Sequence, residues 1–201
     1  MKKLIPLALT LALCACGGTR VVDLNDEKEV AAMQDVMELE YRDWTKTAQN
    51  MTESMLKSGA FKQIKNPVIA MGPIVNDTQQ RFDTDILTKK IRTTLMNSGT
   101  AQIATNFSGE DLTSEKMRAQ RNNPEYDQTT IAKTGTLVAP NMSLSGKMLQ
   151  RNLQLESGWF SSVDTRTEYY LQLTLTDLKT GLSVWEDEQP IIKEGTHAPT
   201  W

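Results

Sequence analysis

The stretch RTEYYLQLTLTDL, residues 166–178, constrains this chain more than any other. Tyr169, Leu171, Leu173 and Leu175 recur at every second position, while Thr174 and Thr176 point the opposite way. That period is the mark of a strand with one buried face. Lys179-Thr180-Gly181 then supplies a tight turn into Leu182 to Glu186, which predicts a β-hairpin. A second alternating run, residues 136–155, predicts a further strand.

The first half reads differently. Residues 27–41, EKEVAAMQDVMELEY, place Val30, Met33, Met37 and Tyr41 at helical spacing, on a thin face with a high charge. In the next segment Asp43 is an expected N-cap, Trp44, Ala48, Met51 and Met55 share a face, and Ser58-Gly59 closes the helix. After Asn66-Pro67 the apolar run VIAMGPIV fits a buried strand that ends, or lies at an edge, at Pro73. A polar loop from Asn76 to Phe82 leads to a capped helix with Ile86, Leu87, Ile91 and Leu95 inward and Gly99 past its end. Ala101 to Ala104 predicts a brief strand, and residues 107–135 predict helical pieces around 114–121 and 127–133. Helices first and strands later, without a repeat, indicate one α+β domain: an antiparallel-rich mixed sheet packed by several helices.

The two cysteines of the chain both lie in the opening MKKLIPLALTLALCACGGTR. Lys2 and Lys3 precede an apolar run from Leu4 to Ala15, too short to span a ~30 Å hydrocarbon core, so it reads as a signal peptide. Leu13-Cys14-Ala15-Cys16 resembles a bacterial lipobox, with residues 1–15 removed and Cys16 acylated. A Cys-x-Cys metal clip there would lack the further ligands that zinc needs. Gly17 after the cysteine, by resemblance to sorted lipoproteins, implies the outer membrane, with the protein on its periplasmic side. Residues 16–42 would then be anchor and tether, including a helix if 27–41 folds, and residues 43–201 the domain. Loss of residues 1–15 moves the formal net charge from -3 to -5. An acidic chain is a poor binder of nucleic acid, whose affinity comes from Lys/Arg contacts to phosphate.

Catalytic patterns are absent from the sequence. His197 is the lone histidine and lies near the C-terminus. Asp83 and Asp85 are explained by helix capping, and Glu186-Asp187-Glu188 continues a strand into solvent. With no phosphate loop, nucleophile elbow or metal-ligand cluster, the expectation is a binding protein without cofactor or small-molecule substrate.

The ordered series Asp43-Trp44 to Met55-Leu56, Val75-Asn76, Leu87, Ile91-Arg92, Leu95, Asn97-Ser98-Gly99, Ile131-Ala132-Lys133 and YYLQLTLTDLKTGLSVWE resembles the LpoB family. Its members are outer-membrane lipoproteins that activate penicillin-binding proteins. The final hairpin pattern is also similar to the TolB N-terminal domain. The LpoB resemblance implies no cofactor and binding to the regulatory domain of a class A penicillin-binding protein, a bifunctional peptidoglycan synthase. A structural or assembly lipoprotein of an envelope secretion or appendage complex is the alternative. For the partner surface, Trp159 and Phe160 in ESGWFSSVD cannot both follow an alternating core pattern. They serve either as exposed anchors or as a cover for the sheet end. In the latter case the contact falls around Asn76 to Arg81.

Overall fold

A computed structural model describes residues 21–23, 26–107, 112–155 and 165–195. The chain divides into two compact units, Met1–Gln34 and Asp35–Trp201. In the first, helix α1 spans only Glu27–Ala31; Asp26 caps it by accepting from the Lys28 N–H, and none of its residues is buried. The helical reading of 27–41 is therefore corrected: residues 32–40 are not helical, and Tyr41 opens the next helix instead.

In the second unit, α2 (Tyr41–Lys57) buries Trp44, Ala48, Met51 and Met55, as the spacing predicted. Its N-cap is Glu40, not Asp43. Asp43 sits three positions inside and accepts the Glu40 N–H at 2.9 Å, the reciprocal half of a capping box. Helix α3 (Thr84–Asn97), capped by Asp83, turns Leu87, Ile91 and Leu95 inward. Ile86 is half exposed and leaves the predicted core, because a one-residue step rotates it by about 100° from the Leu87–Ile91–Leu95 line.

Five strands form one mixed sheet: β1 (Val68–Asp77), β2 (Gln102–Ile103), β3 (Met142–Gln154), β4 (Thr165–Asp177) and β5 (Ser183–Gly195). Their order is β2-β1-β3-β4-β5, with β1 parallel to β2 and β3 and the last three strands an antiparallel meander. The α+β expectation holds. Tyr169, Leu171, Leu173 and Leu175 are all fully buried in one core with α2 and α3. Gly146 lies opposite Leu173, where a Cβ would come within 2.4 Å of the Gln172 carbonyl oxygen, so no larger residue fits without displacing backbone.

Pro73 does not end β1. The register shifts between Met71 and Ile74, admitting one extra residue against β3, and both of those side chains stay buried. Among the described residues β1 has no strand partner on its β2 side beyond Ile69, which is where a proline costs no ladder bond.

Three predicted elements change. Helix α4 (Thr113–Ala119) forms, but 127–133 is turns: Asp127 accepts from the Thr129 N–H and hydroxyl, and Thr130 donates to the Asp127 carbonyl. Such local side-chain bonds compete with the helical ladder. The strand expected at 136–155 starts only at Met142. Asn141 before it clasps Val68, accepting its N–H on the side chain and donating its own N–H to its carbonyl, both at 2.9 Å. Strand β5, expected over Leu182 to Glu186 and continuing through Glu188, extends to Gly195.

Candidate partner surface

The polar loop after β1 is built by its own side chains. Asn76 accepts from the Thr78 N–H (3.1 Å) and hydroxyl (2.7 Å) and donates to the Gln80 carbonyl (2.9 Å). Its amide is thus used inside the loop, and its role is to shape it. Gln79 fastens the loop to β3: its N–H donates to Gln150 and its side chain accepts from Asn152, both at 2.9 Å. On the outer side of the sheet Lys147 and Asp77 form an ion pair of 2.6 Å.

Gln80 fixes the loop from the other direction. Its side chain accepts the Leu39 N–H at 2.8 Å and donates to the Leu39 carbonyl at 3.1 Å, as a strand neighbour would. Phe82 packs on Trp44 with ring centroids 4.3 Å apart. The next residue toward solvent, Arg81, is exposed and makes no hydrogen bond or ion pair among the described residues. A charge carried on a loop pinned at several points can meet a partner at little entropic cost.

Residues 35–40 form a strap across the same end of the sheet. Lys193 of β5 donates to the carbonyls of Val36 (3.0 Å) and Glu38 (2.8 Å) and pairs with Asp43 at 2.6 Å. The Tyr169 hydroxyl donates to the Met37 carbonyl at 3.2 Å. Burial, with the Glu38 and Asp43 carboxylates adding to it, pushes the Tyr169 phenol up to about 12. A Cβ on Gly195 would meet the Met37 sulfur at 2.8 Å, so strap and strand touch directly.

Of the expected site residues, the structure brings Asn76 and Arg81 into this loop. Trp159, Phe160 and Cys16 lie outside the described residues. The strand ends flanking the aromatic segment, Gln154 and Thr165, pair with each other. Sequence reasoning missed Gln80, Gln79, Gln150 and Asn152; single polar residues in loops and strand tails carry no periodic signal, and only the fold brings Gln79 to Gln150 and Asn152 and Gln80 to Leu39. Among the described residues no group of three or more His, Cys, Asp or Glu could hold a metal ion, and no helix is long and apolar enough to cross a membrane.

The family of the peptidoglycan-synthase activator LpoB matches residues 43–191, from the capping box through most of β5. The chain belongs to the LpoB family. Among solved structures it is similar to the LpoB C-terminal domain from Salmonella enterica, at 15% identity and TM-score 0.45, covering 74% of this chain and 98% of that one. The C-terminal domain from Escherichia coli gives 14%, 0.42, 74% and 98%. The NMR structure of Escherichia coli LpoB gives 13%, 0.41, 94% and 90%. No curated protein sequence matches. As an LpoB-family protein the chain has a regulatory role in peptidoglycan synthesis and is not an enzyme.

Proposed function

We propose that this LpoB-family protein is an outer-membrane lipoprotein, acylated at Cys16 and held on the periplasmic side, that binds the regulatory domain of a class A penicillin-binding protein and activates it. The family match over residues 43–191 carries this reading. The pinned loop with exposed Arg81 supports a contact at that end of the sheet, with Trp159 and Phe160 as its aromatic part. Because the second compact unit begins at Asp35, the chain from Gly17 to Gln34 reaches at most about 65 Å when fully extended. The synthase must therefore offer its regulatory domain within that length plus the breadth of the folded unit.

The deciding experiment is glycosyltransferase activity of a purified class A synthase with and without the full chain in detergent. Stimulation is expected, together with cross-linking to the synthase. Arg81→Ala and the pair Trp159→Ser, Phe160→Ser should lower stimulation at unchanged melting temperature, and Cys16→Ala should leave the outer-membrane fraction. A synthase that neither cross-links nor responds would sink the reading.

A further inference from the structure

The meander ends on an open edge. Strand β5 stands last in the sheet order, is 13 residues long and pairs only with β4. In an antiparallel pair, residues that exchange both backbone bonds with the neighbouring strand alternate with residues that turn both groups away from it. Pro190 shows which are which in β5. It has no N–H, yet the pairing with β4 runs unbroken through Leu171–Gln189, Tyr170–Pro190 and Tyr169–Ile191, so Gln189 and Ile191 carry the bonds and Pro190 is turned away. Glu188 agrees, since its N–H donates to the Asp187 carboxylate at 2.9 Å instead of to β4. The carbonyls of Glu186, Glu188, Pro190 and Ile192 and the N–H groups of Glu186 and Ile192 therefore point off the sheet, and among the described residues nothing bonds them.

A row of open backbone groups has one complementary partner, another extended backbone. The side chains of the same four residues, all exposed, say which extended backbone fits. Glu188 accepts only from the neutral Gln172 amide, at 2.7 Å, and neither it nor Glu186 is in an ion pair among the described residues. Pro190 and Ile192 follow them as an apolar pair. Over the whole strand four acids stand against one lysine, Lys193, which is turned to the strap. A second copy of β5 laid along this edge would set acids against acids, and like charges on facing strands destabilise the pairing. A strand with Lys or Arg opposite Glu186 and Glu188 and apolar residues opposite Pro190 and Ile192 is complementary at each position. We propose that the edge of β5 from Glu186 to Ile192 is a docking site for an extended cationic segment of another protein, which adds to the sheet as a further strand. The site is separate from the loop at Asn76–Arg81 and does not depend on the activation reading.

The test is fluorescence anisotropy of the purified full chain in detergent with the labelled peptide acetyl-Val-Thr-Val-Thr-Lys-Thr-Lys-amide. Laid antiparallel, it sets its valines opposite Ile192 and Pro190 and its lysines opposite Glu188 and Glu186. Saturable binding is expected, with slowed hydrogen exchange at the Glu186 and Ile192 amides. N-methylation of the two valines removes the N–H groups that face the Ile192 and Pro190 carbonyls and should weaken binding at least about tenfold. Methylation of the threonine between them, whose N–H faces away, should not. Exchanging the lysines for glutamates should abolish binding, and the exposed double change Glu186→Lys, Glu188→Lys, at unchanged melting temperature, should reverse the preference. Absence of saturable binding up to about 1 mM, equal affinity for the valine-methylated peptide, equal affinity for the glutamate peptide, or unchanged exchange at Ile192 overturns the proposal.

Discussion

Residues 27–41 and 41–57 carry apolar side chains at the same helical spacing, yet α2 fills the second segment and α1 covers only five residues of the first. The stripe of α2 faces α3 and the sheet, and Trp44, Ala48, Met51 and Met55 are all buried there. The stripe of the first segment is split. Val30 and Met33 belong to one compact unit, Met37 lies in the strap of the other, and Tyr41 begins α2. A helix of this length is marginal in water unless a packed face stabilises it. Periodicity says which side of a segment would be buried if it were helical; it does not say that a surface exists to bury it. The strap also has competing uses for its backbone. The carbonyls of Val36, Met37 and Glu38 accept from Lys193 and Tyr169, and Leu39 exchanges two bonds with Gln80. A continuous helix would have committed those carbonyls to its own ladder.

The sharpest way to break this contrast is to remove one methionine from each segment. Met55 is fully buried, so Met55→Ala should destabilise by about 2 to 5 kcal/mol. Met33→Ala should cost less than about 0.5 kcal/mol. Urea denaturation of the two variants measures the difference, and equal losses would mean that residues 27–33 contribute to a packed core after all.

Next in size is the strap itself. A chain beginning at Arg42 lacks Leu39, which is 5% exposed, and every acceptor for the Lys193 ammonium among residues 35–40. It should be less stable than a chain beginning at Asp35 by about 2 kcal/mol or more, the worth of one buried leucine. Identical melting curves for the two would show the strap to be passive.

Tyr169 gives a smaller effect with a pH signature. Tyr169→Phe removes the hydroxyl bonded to Met37 and should cost about 1 kcal/mol near neutral pH. A tyrosine ionises by losing its proton, and burial raises its pKa from 10.0 to about 12, so the folded state favours the neutral phenol. The resulting stability is intact below pH 10 and is lost as the pH climbs from 10 toward about 12. Alkaline denaturation of the parent protein should therefore be steeper across that window than that of Tyr169→Phe. Parallel curves would remove Tyr169 from the account.

What could be read in advance follows the same division. The hairpin of β4 and β5, the buried faces of α2 and α3 and the core leucines were legible because each repeats a period against one continuous core. The bulge at Pro73, the turns at 127–133 and the capping box at Glu40 were not, because each depends on one side chain finding one local partner. The candidate surface is of the second kind. Asn76 and Arg81 stood in a polar loop with nothing to tell them apart, and only the structure commits Asn76 to the loop and leaves Arg81 exposed. Gln80 had no sequence signal at all, since its partner Leu39 lies 41 residues away.

The finest test concerns where the strap is held. At its start Asp35 pairs with Arg42, and Arg42 also bonds Glu40 at 2.8 Å. The Asp35 side chain is 89% exposed, so solvent and salt screen the pair. Asp35→Asn leaves Arg42 its Glu40 partner, so no charge is stranded, and the loss should be no more than about 0.5 kcal/mol. Raising the salt to about 0.5 M should erase even that, because the Debye length then falls to a few ångströms. The strap would thus be held from Val36 onward, by Lys193, Tyr169 and Gln80, and Asp35 would add little to its hold. A loss above about 1 kcal/mol that persists in salt would place a structural clasp at Asp35 instead.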